Sequence, residues 1–113
     1  MASYDNIEEL AVTATGVLGQ AARSSGRAVT GYASAQLKAT AFSGTIQCQG
    51  SFDNGTTWVA LQIVNLADGT TGTGITAAGL YRVDVGGVPR YRWNCTSFSS
   101  ATSAYLYPTV RVG

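Results

Sequence analysis

Apolar and polar residues alternate in several short stretches of the chain, which is the period of a sheet with one face buried. Over residues 45–52, Ile46 and Cys48 share a face opposite Gln47 and Gln49. Over 90–97, Tyr91, Trp93 and Cys95 oppose Arg90, Arg92 and Asn94. Over 80–85, Tyr81, Val83 and Val85 oppose Arg82 and Asp84. Further strands are predicted over 10–15, 17–22, 27–32, 35–42, 57–65 and 104–112, punctuated by Gly, Asn, Asp, Ser and Pro. Val59, Leu61 and Ile63 fall on one face of their strand and Trp58 on the other, which assigns Trp58 to a bulge or a hairpin end. No stretch carries the period of a long amphipathic helix. One helical turn is expected over 5–10, where Asp5 and Glu8 are spaced as a capping pair. Residues 67–74 form a flexible loop, and Gly86-Gly87-Val88-Pro89 turns a hairpin.

About eight to nine short strands with no long helix define an all-β, single-domain, two-layer β-sandwich of jelly-roll or Greek-key type. Residues 1–10 read as an N-terminal arm and residues 11–113 as the sandwich. A chain of 113 residues buries about two-thirds of its unfolded surface, enough for a core of its own.

Charge changes this picture more than size does. Only 12% of residues are charged, against about 25% in an average protein, and the net charge is +1. Such a surface keeps molecules apart weakly and favours association. The absence of histidine removes imidazole bases, Ser-His triads and His-ligated metals. Neither a nucleophile nor an acid–base pair can be assembled, so no enzyme, cofactor or metal is expected. A pI of 7.8 argues against nucleic acid, and no apolar run approaches the roughly 18 residues of a membrane span. The first ten residues lack the basic and apolar regions of a signal peptide, so the expectation is synthesis and retention in a cytoplasm. Cys48 and Cys95 are accordingly expected as reduced, buried thiols.

Ser51-Phe52-Asp53-Asn54-Gly55-Thr56-Thr57-Trp58 matches S-x-D-x-G-x-T-W, the Asp-box of sialidases and other β-propellers. One copy in a chain this short cannot build a propeller. Ser51, Asp53, Gly55 and Trp58 are therefore read as a structural turn: Asp53 accepts from backbone N–H groups and Gly55 supplies a positive φ. Gly72-Thr73-Gly74-Ile75-Thr76-Ala77 fits G-x-G-x-x-A, but a strand follows where a dinucleotide site needs a helix. Cys48, Trp58 and Cys95 are spaced tolerably for an immunoglobulin-like core, a minor alternative. Arg82, Arg90 and Arg92 would lie together on one hairpin, as a solvated face with cross-strand partners. Tyr105 and Tyr107 share a face of the last strand, and Tyr4, Ile7 and Leu10 make the N-terminal segment adhesive. These five form the candidate assembly interface, where aromatic residues are enriched. Exposed tyrosines also stack on sugar rings, which makes a glycan the alternative partner.

The run Gly44-Thr-Ile-Gln-Cys-Gln-Gly-Ser-Phe-Asp-Asn-Gly-Thr-Thr-Trp-Val-Ala-Leu61, then Gly79-Leu-Tyr-Arg-Val-Asp-Val-Gly-Gly87, then Arg90-Tyr-Arg-Trp93 and the Ser-rich turn from Ser97 to Ser103, resembles small β-sandwich virion proteins of tailed bacteriophages. The resemblance covers roughly half the chain and uses common turn-and-strand grammar. It implies a structural virion protein, foremost a capsid decoration (cement) protein on the outer shell. A head-fibre or tail accessory module and a carbohydrate-binding module are the alternatives. The implied partners are further copies of the chain, as a homo-oligomer and by the resemblance a trimer, and the major capsid protein or another virion protein. No catalytic residue carries over.

Overall fold

The alternating stretches pair into two antiparallel sheets. The computed structural model describes residues 3–7, 9–18, 32–85 and 88–112. Its strands are β1 (Ser3–Ile7), β2 (Leu10–Ala11), β3 (Gly16–Leu18), β4 (Tyr32–Thr40), β5 (Ser43–Ser51), β6 (Val59–Ala60), β7 (Ile63–Asn65), β8 (Thr71–Gly72), β9 (Gly79–Asp84), β10 (Arg90–Ser100) and β11 (Ser103–Val112). The larger sheet runs β1-β11-β4-β9-β7-β8, with β2 also paired to β11, and the smaller runs β3-β10-β5-β6. The result is the expected β-sandwich.

Period two decides which side chains meet between the sheets. In the smaller sheet, Trp93 stands opposite Cys48 and Cys95 opposite Ile46, and all four are buried. From the larger sheet, Leu37, Val83 and Leu106 are almost wholly inaccessible and join the same cluster. Ile75 adds to it from outside the strands, exchanging backbone hydrogen bonds with Ile46 at 2.9 and 2.7 Å. Gly44 is required for a different reason: a Cβ there would stand 2.5 Å from the Ser97 carbonyl oxygen, beside the register shift between Cys95 and Ser97.

Both cysteines are buried free thiols. Cys48 faces Trp93, so Cys95 is its diagonal neighbour on the adjoining strand. Diagonal pairs lie about 7–8 Å apart, beyond the usual Cα separation of a disulfide. Burial pushes the Cys48 thiol up to about 12, which keeps it protonated and inert.

Several local expectations are corrected. Residues 3–7 form a strand where a helical turn was expected. Ladder bonds to the long β11 edge outcompete a single, poorly nucleated turn. The strand expected over 57–65 splits, with β6 pairing β5 in the smaller sheet and β7 pairing β9 in the larger. Leu61 N–H still donates to Cys48 O at 2.8 Å, and the chain crosses between layers immediately afterwards. Val59 is consequently 62% exposed while Ile63 is buried, although parity had put them on one face. Likewise β9 and β10 belong to different sheets, so the connection through Pro89 is a crossover between layers and not a hairpin. Arg82 is thereby separated from Arg90 and Arg92. Within 67–74 the loop contains β8, hydrogen-bonded to β7. The strand predicted over 27–32 lies outside the described residues except for Tyr32, which opens β4. Residues 19–22 of another predicted strand also lie outside them.

Candidate functional site

Three features of the surface bear on function, and the first is the turn between β5 and β6. The Asp53 carboxylate oxygen Oδ1 accepts from Ser51 Oγ at 2.9 Å and from Thr57 N–H at 2.7 Å. Ser51 Oγ accepts in turn from Gly55 N–H at 2.9 Å. Asn54 and Gly55 both have positive φ, at 63° and 88°, which the side chains Asn and Gly tolerate best. Trp58 donates its indole N–H to Gly55 O at 3.0 Å and lies beneath the Arg92 guanidinium, 4.2 Å from the ring centroid. Arg92 Nε donates to Gln49 Oε1 at 2.8 Å, and the pair of side chains shields Gln49 on the outer face of the smaller sheet. Every polar group that gives the motif its signature is thus spent on closing the turn.

The hydrogen bonds from Thr57 and Ser51 hold the Asp53 carboxyl at about 2, below its ordinary value. Asp68 is lowered in the same way by Thr70. A depressed folded-state pKa adds stability above the unfolded value of about 4, and that contribution disappears as pH falls through about 2. Melting temperature should therefore fall between pH 4 and pH 2, and Asp53→Asn should flatten part of that decline. Ser51→Ala leaves the Gly55 N–H without its acceptor and should cost about 1–2 kcal/mol in urea denaturation. Wild-type stability in Ser51→Ala would mean that the turn closes without its hydrogen bonds.

The second feature is the outer face of the larger sheet. Along β11, Ala104 and Leu106 point into the core, so Tyr105 and Tyr107 point outward. Tyr105 stands opposite Lys38 and Tyr107 opposite Gln36 on β4. Tyr107 OH donates to Glu9 Oε2 at 2.7 Å, a bond that raises its pKa, and Lys38 Nζ lies 5.7 Å from its ring centroid. Of the other residues expected at an interface, Leu10 stands opposite Leu106 and packs against the core. Tyr4 and Ile7 lie on β1, and their side chains are outside the described residues. The structure therefore brings Tyr105 and Tyr107 together on the outer face and turns Leu10 away from it.

The third feature was not anticipated. Phe52 is 76% exposed at the tip of the turn, and beside it Val59 stands open on the edge strand β6. With Gly50 and Leu61 they border a mainly apolar hollow of about 460 Å³, rimmed by Asp53 and Thr57. The available signal was Phe52 itself, an aromatic residue inside a turn whose other positions are occupied by hydrogen bonding. Val59 carried no such signal, because its outward orientation depends on the break after β6.

An antiparallel two-layer sandwich with a single Asp-box-like turn is the class that this architecture defines. Among solved structures, the crystal structure of the SPBc2 prophage-derived protein YomS is similar to it, with a TM-score of 0.70 over 99% of this chain and 96% of that one. Sequence identity is 14%, so the likeness is one of fold. No protein-family model matches the chain, and no curated protein matches it.

Proposed function

We propose that this protein is a non-enzymatic structural component of a tailed-phage particle, a decoration protein that binds the outside of the capsid as a homo-oligomer. The observation that carries the reading is the end-to-end likeness of fold to a prophage-derived protein, with neither chain leaving a large part unmatched. The surface supports it. With 12% charged residues, the domain opposes close packing of copies only weakly. The Phe52–Val59 hollow offers the attachment point, because a contiguous exposed apolar patch on a small domain marks a protein contact. A contact on one chain is small, and repetition around a symmetric shell multiplies it.

The test uses particles induced from a lysogen that encodes the chain, with the gene deleted and the purified protein added back. Saturable, stoichiometric co-sedimentation with tailless heads is the expected result. Phe52→Asp should weaken that binding at least tenfold, since it places a charge in the centre of the contact, while its circular dichroism stays wild-type. Binding to isolated tails and not to heads would replace the decoration reading with a tail accessory role. No binding to either would overturn both.

A further inference from the structure

From the outer face of the larger sheet we infer a binding groove for an acidic oligosaccharide, with Tyr105 as its stacking platform and Lys38 as its cation. The groove has a volume of about 640 Å³ and runs over β11 and β4 to the beginning of β9. It arises from strand lengths. Leu37 stands opposite Gly79, the first residue of β9, so Lys38, Ala39 and Thr40 continue past the end of that neighbour. The sheet there steps down from the tyrosine ridge of β11 to the end of β9 at Gly79.

What lines the groove selects the ligand. Tyr105 is 39% exposed, and its ring contacts no other aromatic ring or cation among the described residues. An aromatic face is electron-rich, so it attracts the polarised C–H face of a pyranose ring. Gln36, Thr40 and Ser103 surround it and form no side-chain hydrogen bond with other described residues. Their amide and hydroxyl groups supply both donors and acceptors, as sugar hydroxyls require. A peptide contact would favour a mainly apolar centre, which the Phe52 hollow has and this more polar face lacks.

Charge narrows the class further. Lys38 is the one cation lining the groove, and no carboxylate lies within ion-pair distance of it among the described residues. Its ammonium lies 5.7 Å from the centroid of the Tyr107 ring, whose hydroxyl donates to Glu9. Glu9 accepts from Tyr107 and is not within ion-pair distance of Lys38, whose ammonium remains for an anion. A uronic acid stacked on Tyr105 would bring its carboxylate to Lys38 directly across the ladder, since the two residues are register partners. The groove is on the opposite sheet from the Phe52 hollow, so this inference stands independently of how the protein attaches to a particle.

The test is isothermal titration of the purified chain with hexasaccharides of polygalacturonate, alginate and hyaluronan, with cellohexaose as the neutral probe. At least one acidic sugar should bind at least tenfold more tightly than cellohexaose. Tyr105→Ala should abolish binding, and Tyr105→Phe, which keeps the ring, should retain it. Lys38→Met should remove the preference for the acidic sugar and leave weak binding of both kinds. Thermal melts establish that each variant is folded. Failure of all three acidic sugars to bind at millimolar concentration overturns the inference. So does equal binding of acidic and neutral probes, or binding that survives Tyr105→Ala. Loss of capsid binding in Tyr105→Ala without any sugar affinity would make this face a protein contact instead.

Discussion

Leu106→Ala should lower the stability of the protein by about 3 kcal/mol, within the roughly 2–5 kcal/mol span for a leucine removed from a packed core. Leu106 is fully buried in the middle of β11, with Leu37 opposite it on one side and Leu10 on the other. Neighbours on both flanks belong to paired strands, so the backbone cannot close the vacated space. Urea denaturation should show a lower midpoint with an unchanged slope, the sign of a stability change in a cooperative unit. The adjacent Tyr105→Ala, on the outer face, should cost less than about 1 kcal/mol by the same measurement. Equal costs at these two positions would contradict the inward and outward assignment along β11, and with it the exposed tyrosine face.

That contrast also shows which part of the fold the sequence made readable. Where a strand has one dry and one wet face, composition records the pleat directly. Ile46 and Cys48 against Gln47, or Trp93 and Cys95 against Asn94, could be assigned without knowing any partner strand. The Asp53 turn was readable because the hydrogen bonds made by Ser51, Asp53 and Trp58 side chains close within eight residues of chain. Pairing between distant segments leaves no such local record. Nothing at Leu61 or Gln62 marks the step from the smaller sheet to the larger. Nothing between Val85 and Arg90 distinguishes a hairpin from a crossover, since Gly and Pro serve both. The same limit governed the surface. Tyr105 and Tyr107 were identified from their spacing, whereas the open edge at Lys38 depends on where β9 begins, and the exposure of Val59 on where β6 stops.

Removal of residues 2–11 should destabilise the protein by roughly 3 kcal/mol, as several ladder hydrogen bonds worth about 1 kcal/mol each are lost. An adhesive arm would come away without such a cost. The structure instead has β1 aligned with β11 from Ser3 opposite Val112 to Ile7 opposite Thr109. After Glu9 the same edge is followed by β2, with Leu10 opposite Leu106 and Ala11 opposite Tyr105. Together β1 and β2 cover one side of β11, and Val12 N–H extends the contact to Ala104 O at 2.9 Å. Truncation would uncover backbone donors and acceptors along that strand and open the core beside Leu106, where Leu10 now packs. An uncovered edge of this kind is a template for pairing with other chains. The truncated protein should therefore melt at a lower temperature and show concentration-dependent association in sedimentation velocity. Hydrogen exchange should be faster at Ala104 and Leu106 than in the full chain. A truncated protein that is monomeric and melts at the wild-type temperature would show that β1 and β2 add nothing to the sandwich, and would return residues 1–10 to the role of an arm free to bind a neighbour.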